Sequence, residues 1–269
     1  MVVIGQRFGA GFLRSWLWGA GYRSLYTTPV TLPVLDLRTE AGGLTPTRSV
    51  GSSETRTLAL KGADGRDYTF RSVLKDAKLL LPLDVRETLA HRLLIDQLPA
   101  GHPAGPLVAA GLLRAGGVLH EQPRLVVMPD DPLLGEFQPT FANVVGDFQE
   151  WPGSPGFSGT TETIDGAEMW RQLRASPELR ADAEAYLRAR LLDQLMGDWD
   201  RHRDQWRWAR VPGQSRWQPI SEDRDQALAR FEGFFNGLLR RQLPMLVKFG
   251  PRYSSLAGLT FDAWDVDKR

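Results

Sequence analysis

The chain contains no cysteine, which excludes disulfides, thiolate metal sites and cysteine nucleophiles while leaving its compartment open. Histidine is scarce too: of four in 269 residues, His91, His102 and His120 are scattered without metal-ligand spacing. Net charge is nearly absent. At +1 the chain lacks the field for broad nucleic-acid binding, and no nucleic-acid partner is expected. Long apolar runs are also missing. Glycines, Arg7 and Arg14 break up the apolar patches of the first 28 residues, so neither a signal-peptide block nor a membrane-spanning run forms. A soluble protein is expected.

Against these absences, tryptophan is abundant. Four of the nine fall between Trp199 and Trp217, where they are expected to pack around a hairpin rather than stack on nucleobases. Residues 1–27 read as an arm or short helix on the domain surface, with lipid contact through Phe8, Phe12, Trp16 and Trp18 as the less favoured alternative. The abrupt start leaves open that the chain is part of a longer one.

Residues 28–80 read as strands, with runs at Arg56–Leu60 and Tyr68–Leu74 separated by a turn at Asp64-Gly65. The two-residue period puts Arg71, Val73 and Lys75 on one face of the second run. A helix is expected over 84–98, capped by Asp84 with Glu87 three places on and stopped by Pro99. Asp96 shares its apolar stripe with Val85, Leu89 and Leu93, so it needs a cationic partner. A strand follows at Leu125–Met128. Ser176-Pro177 then opens a helix expected to run, along Leu179, Ala183, Leu187, Leu191 and Leu195, to Met196. Strands followed by helices imply an α+β chain in two lobes: a β-rich lobe over 28–130 and a mainly helical one over 131–269.

The most informative stretch is Gly197-Asp198-Trp199-Asp200-Arg201-His202-Arg203-Asp204-Gln205, followed by Glu222-Asp223-Arg224-Asp225. Six carboxylates in two segments are more polarity than a core tolerates unpaired. A hairpin-like unit delivering both segments to one cleft would suit metal and phosphate chemistry. Phosphoryl transfer also needs a glycine-containing flap, a phosphate-holding cation and an acid to orient it. In chain order, the Gly42–Ser53 loop, Lys75 and Asp96 (or Glu87) meet those needs.

Asp200-Arg201-His202-x-x-Gln205 resembles the catalytic loops of phosphoinositide kinases, Golgi secretory kinases and HipA-like kinases, in which an Asn closes the motif and a second Asp follows on the next hairpin strand. Ile220-Ser221-Glu222-Asp223 has that placement. The wider pattern is similar to a poorly characterised bacterial branch of the superfamily. It includes Gly42-Gly43-Leu44, Arg71-Ser72-Val73-x-Lys75, Asp96-Gln97 and Pro129-Asp130-Asp131-Pro132.

The resemblance implies a two-lobed kinase-like fold that uses ATP with Mg2+, or Mn2+, to phosphorylate an unidentified hydroxyl-bearing substrate. It implies Asp200 as the catalytic Asp; His202, beside an Asp that fits the base role, is read from the residues as bracing the loop rather than as a base. Asp223, Gln205 and Asp225 become metal ligands, with the choice between Asp223 and Asp225 as the main one left open. Lys75 pairs the phosphates and Asp96 or Glu87 holds Lys75. Gly51, Ser52 and Ser53 form the flap, and Val127–Pro129, with Val127 and Met128 foremost, offers backbone to adenine.

The chain also departs from the pattern. Gln205 is one methylene longer than Asn, no Asp-Phe-Gly follows, and the flap lacks G-x-G-x-x-G. These differences keep open a catalytically inactive pseudokinase-type module that binds a nucleotide or a partner. A third reading, a metal-dependent hydrolase built on Asp198, Asp200, His202 and Asp223, suffers from the shortage of histidine.

Overall fold

The computed structural model describes residues 1–51, 55–75, 96–176, 178–253 and 255–267. Of the expected helix over 84–98, residues 84–95 lie outside these; the described end runs into a 3-10 turn at Leu98–Ala100.

Two sheets organise the chain. The first takes β1 (Leu44–Gly51), β2 (Arg56–Gly62), β3 (Asp67–Ser72), β5 (Arg124–Val127) and β6 (Val145–Glu150), in the order β1-β2-β3-β6-β5. Alternation along β2 and β3 sends Leu58, Leu60 and Phe70 into a core shared with Leu35, Leu37, Met128 and Phe148. Each such side chain contributes about 1.5–3 kcal/mol of burial. Phe70 pairs with Phe148 across β3 and β6, and Arg71 with Asp147. The face opposite the phenylalanines therefore carries Arg71, Asp147 and Gln149. Gly146 allows this pairing to be close, since a β-carbon there would collide with the Arg71 carbonyl and the Phe70 ring.

The second sheet runs β4 (Leu119–His120), β9 (Gln218–Ser221), β8 (Trp206–Arg210) and β7 (Glu162–Asp165). The β8–β9 hairpin is antiparallel and β4 joins β9 in parallel. Helices α3 (Gly105–Ala115) and α5 (Ala183–Met196) pack on this side through Ala109, Leu113, Ala189, Met196 and Trp206. The chain is α+β, as expected, with a cavity between its two sheet-centred halves.

The boundary expected at residue 130 is corrected. Helix α3 and β4 precede it yet belong with the second sheet, while β6 follows it and completes the first. The second half is also less helical than expected, because β7, β8 and β9 build a sheet there.

The helix expected from Ser176 begins only at Ala183, as α5, and the described residues between Ser176 and Asp182 are not helical; α4 (Gly166–Ala175) ends just before that span. Asp182 caps α5 by accepting from the Ala185 N–H. Leu179 lies before the helix and packs by Trp208 and Trp217. The leucine stripe is rotated out: Leu187, Leu191 and Leu195 are more than half exposed. Ala189, Arg190, Asp193 and Met196 face inward instead.

The N-terminal segment is a packing arm. Ile4, Phe8 and Tyr26, the last on α2 (Arg23–Thr27), join Val127 and Val145 in a buried cluster, and Val2 bridges Val30. Within α1 (Phe12–Trp18), Phe12, Leu13 and Trp16 remain exposed, with Trp16 stacked on Phe234. Among the described residues, no helix is long and apolar enough to cross a membrane.

Candidate functional site

The β8–β9 hairpin explains why the two acidic segments meet. The Asp200 loop enters β8 and Asp223 leaves β9, and Trp206 is paired with Ser221 across the hairpin. Glu222 N–H donates to the Gln205 carbonyl at 3.1 Å, closing the base of the unit. Arg201 then fastens the segments together from a fully buried position. Its guanidinium donates to the carbonyls of Glu222 (2.7 Å), Asp223 (3.2 Å) and Gln205 (3.0 Å), and to Ser221 Oγ (2.9 Å). It also lies 4.7 Å from the centre of the Trp206 ring.

Asp200, His202, Gln205, Asp223 and Asp225 all line one cavity of about 460 Å³, with Arg71 from β3 and Lys75 from the segment just past its end. Cation and anion pair across it. Arg71 Nη1 lies 2.6 Å from Asp223 Oδ1 and Nη2 donates to Oδ2 at 2.8 Å. Lys75 Nζ lies 2.8 Å from Asp225 Oδ2. The lining also includes aromatic and apolar residues: Phe8, Tyr26, Leu98, Pro106 and Phe231.

His202 holds the loop in shape. Its Nδ1 accepts the Asp204 N–H at 3.2 Å, so a neutral ring carries its proton on Nε2. That nitrogen lies 3.6 Å from Asp200 Oδ1 and 3.3 Å from the Gln205 side-chain amide. Asp223 is fixed through its backbone, at a left-handed φ of 50°. Its N–H donates to Glu121 Oε2 at 2.9 Å, and Glu121 Oε1 accepts from Gln149 at 2.6 Å.

The electrostatics divide the acids. Burial pushes Asp200 up to about 6, with neighbouring Asp225 and Asp223 adding to the shift and His202 opposing it. Burial likewise pushes Asp147 up to about 7 and, with Glu222 beside it, Glu121 up to about 8. Burial also works against the Asp223 anion, but the Arg71 guanidinium outweighs it and holds that carboxyl well below the usual range. Asp200 thus lines the cavity with its carboxyl raised to about 6, as is that of the buried Asp198 behind it, while Asp223 stays ionised.

Several expectations are corrected. Asp96 does not hold Lys75: its carboxylate is clamped by Arg14 and Arg23, which tie it to the N-terminal arm. A buried carboxylate needs a cation, but the sequence pattern could not say which one would arrive. The alternative partner, Glu87, lies outside the described residues. Val127 and Met128 do not offer backbone to a ligand. Val127 N–H donates to Pro33 O and its carbonyl accepts from Leu35, because residues 33–35 run alongside β5. Met128 N–H donates to Val144 O and its carbonyl accepts from Asn143.

Gly51 ends β1 opposite Arg56, Thr55 reaches the cavity, and Ser52 and Ser53 lie outside the described residues. Asp198, counted in the hydrolase reading, is fully buried. It accepts from Arg224 at 2.9 Å in an ionic core with Asp193, Arg190 and Arg201. The hydrolase constellation is therefore not assembled. Among the described residues, no group of three or more His, Asp or Glu side chains is gathered closely enough to hold a metal ion.

Glu121, Asp147 and Gln149 are cavity residues that the sequence reading missed. Val145-Gly-Asp-Phe-Gln-Glu150 alternates around Phe148, and that period could have placed Asp147 and Gln149 on a polar strand face. Glu121 follows a two-residue strand, too short to leave a pattern.

No family model and no curated protein matches this chain. Among solved structures, that of the Helicobacter pylori proinflammatory kinase CtkA is similar over 64% of this chain and 55% of that one, at 13% identity and a TM-score of 0.32. This chain therefore spans little more than half of that structure, at a likeness too loose to assign a family.

Proposed function

We propose that the chain is a kinase-like phosphotransferase that moves the γ-phosphate of ATP to a hydroxyl acceptor. One observation carries the reading: a hairpin delivers Asp200, Gln205, Asp223 and Asp225 to a cavity that also receives Arg71 from β3 and Lys75 from just past its end. Acids and cations arriving from two sides are what a phosphate bridged by a divalent cation requires.

The residues fit that cofactor in kind. Asp223, Asp225 and the Gln205 amide are oxygen donors, which suits Mg2+ or Mn2+, and they would hold the metal. Bound Mg·ATP would supply the phosphoryl group and offset its charge. Lys75 would hold the phosphates, its ammonium already at the cavity wall. Asp200 would orient the acceptor hydroxyl and take its proton. With a pKa of about 6 it is ionised at neutral pH yet still basic enough to accept one. His202 would keep the Asp200 carboxylate in place through its Nε2 proton. Because the Val127–Met128 backbone is engaged, the nucleoside would rest elsewhere, against apolar lining residues such as Leu98 and Pro106.

A second reading, an inactive nucleotide-binding or interaction module, is favoured by the mutual neutralisation of both cation–acid pairs. Asp200→Asn separates the two. With γ-labelled ATP and a panel of protein, lipid and sugar hydroxyl acceptors, wild type is expected to transfer label. The variant should still bind nucleotide and lose about 10²-fold or more in transfer. A wild type that binds ATP but transfers label to none of these acceptors would favour the inactive module.

A further inference from the structure

Arg71 contributes charge to the scheme above but has no individual role in it, yet it contacts the opposing Asp223 through two nitrogens. It leaves the face of β3 opposite the Phe70 core, four residues before Lys75. The two cations take the Asp223–Asp225 segment one to one, Arg71 on Asp223 and Lys75 on Asp225. Asp223 does not depend on Arg71 for its position. Its N–H is held by Glu121 and its carbonyl by Arg201, so the backbone places the carboxylate whatever its counter-ion does. The Arg71 guanidinium, by contrast, sits at the end of a long side chain beside about 460 Å³ of open cavity. Its fork spans both carboxylate oxygens, and phosphate oxygens match the same fork.

We propose that Arg71 is a second anion-binding cation of the site, which occupies Asp223 until a phosphate group takes its guanidinium and frees the carboxylate for a divalent cation. The proposal rests on the phosphotransfer reading for the identity of the anion. Its other half, competition between Arg71 and a metal for Asp223, does not. Two consequences of opposite sign follow. With no nucleotide present, removing the fork exposes Asp223 and strengthens binding of a bare divalent cation. With no metal present, the same change weakens binding of ATP.

The test is a pair of titrations on wild type, Arg71→Gln and Arg71→Lys, with circular dichroism to confirm folding. Free Mn2+ is followed by its paramagnetic resonance signal without nucleotide, and ATP by calorimetry in chelator. Arg71→Gln is expected to bind Mn2+ about tenfold more tightly and metal-free ATP about tenfold more weakly than wild type. Arg71→Lys should shift both in the same directions by less, and it serves alone if Arg71→Gln does not fold. Arg71 as a mere tether between the sheets would loosen both ligands together. That result, or Mn2+ affinity unchanged in the folded variants, would overturn the proposal. If wild type binds no ATP under any metal condition, the phosphotransfer reading fails and takes the anion half with it. The Mn2+ comparison then judges the competition by itself.

Discussion

Arg201 shows how much of the site rests on one side chain that never touches the cavity. It is fully buried, bonded to three carbonyls and a hydroxyl, and set beside Asp193 at 3.4 Å. Asp193 and Asp198 share Arg190, Arg201 and Arg224 as counter-charges. Removing one partner from such a group leaves others buried and uncompensated. Arg201→Met is therefore expected to destabilise the protein by about 3–5 kcal/mol in denaturant unfolding. A loss under 1 kcal/mol would mean that the hairpin holds itself together without the arginine. In the sequence Arg201 is one of several arginines in and after the acidic loop, with Arg203, Arg207 and Arg210. Nothing in the local pattern separates it from Arg203, which is exposed, because the difference is one of burial.

Elements were legible where periodicity had a single interpretation. Strands β2 and β3 and their Asp-Gly turn follow from alternation and turn chemistry, and the convergence of Asp200 with Asp223 follows from the hairpin between them. Helix α5 was misjudged because its leucines recur at helical spacing on the outer face. Its inner face is made of alanines, a methionine and charged residues that a hydrophobicity pattern discounts. If Leu187, Leu191 and Leu195 do not serve the core, Leu191→Ser should change stability by no more than about 0.5 kcal/mol in the same unfolding assay. A loss of about 2 kcal/mol would return the stripe to the core.

At the scale of the molecule, the chain threads back and forth between its two sheets. Strand β4 crosses to reach β9, and β6 returns to fill the place between β3 and β5. A sequential division of lobes could not anticipate this, since β4 has two residues and β6 pairs only with distant partners. The same threading brings Asp147 and Glu121 to the cavity. Burial raises Asp147 from 3.8 to about 7, so its contribution to stability is full below pH 4 and is lost as pH rises to about 7. Asp147→Asn lacks that titration. Relative to wild type it should gain on the order of 1 kcal/mol between pH 4 and 8, discounted because the side chain still reaches water. Parallel stability–pH curves for the two proteins would show that Asp147 titrates as an ordinary surface acid.

The central claim is that the acids of the hairpin and the cations on and just past β3 form one site for a metal-bound nucleotide. Calorimetric titration of ATP into wild type and Asp223→Asn, with and without Mg2+, addresses it most directly. The account predicts binding on the order of micromolar that requires Mg2+ and weakens at least about tenfold in the variant. Absence of binding under every metal condition, or equal Mg2+-dependent affinity in both proteins, would contradict it.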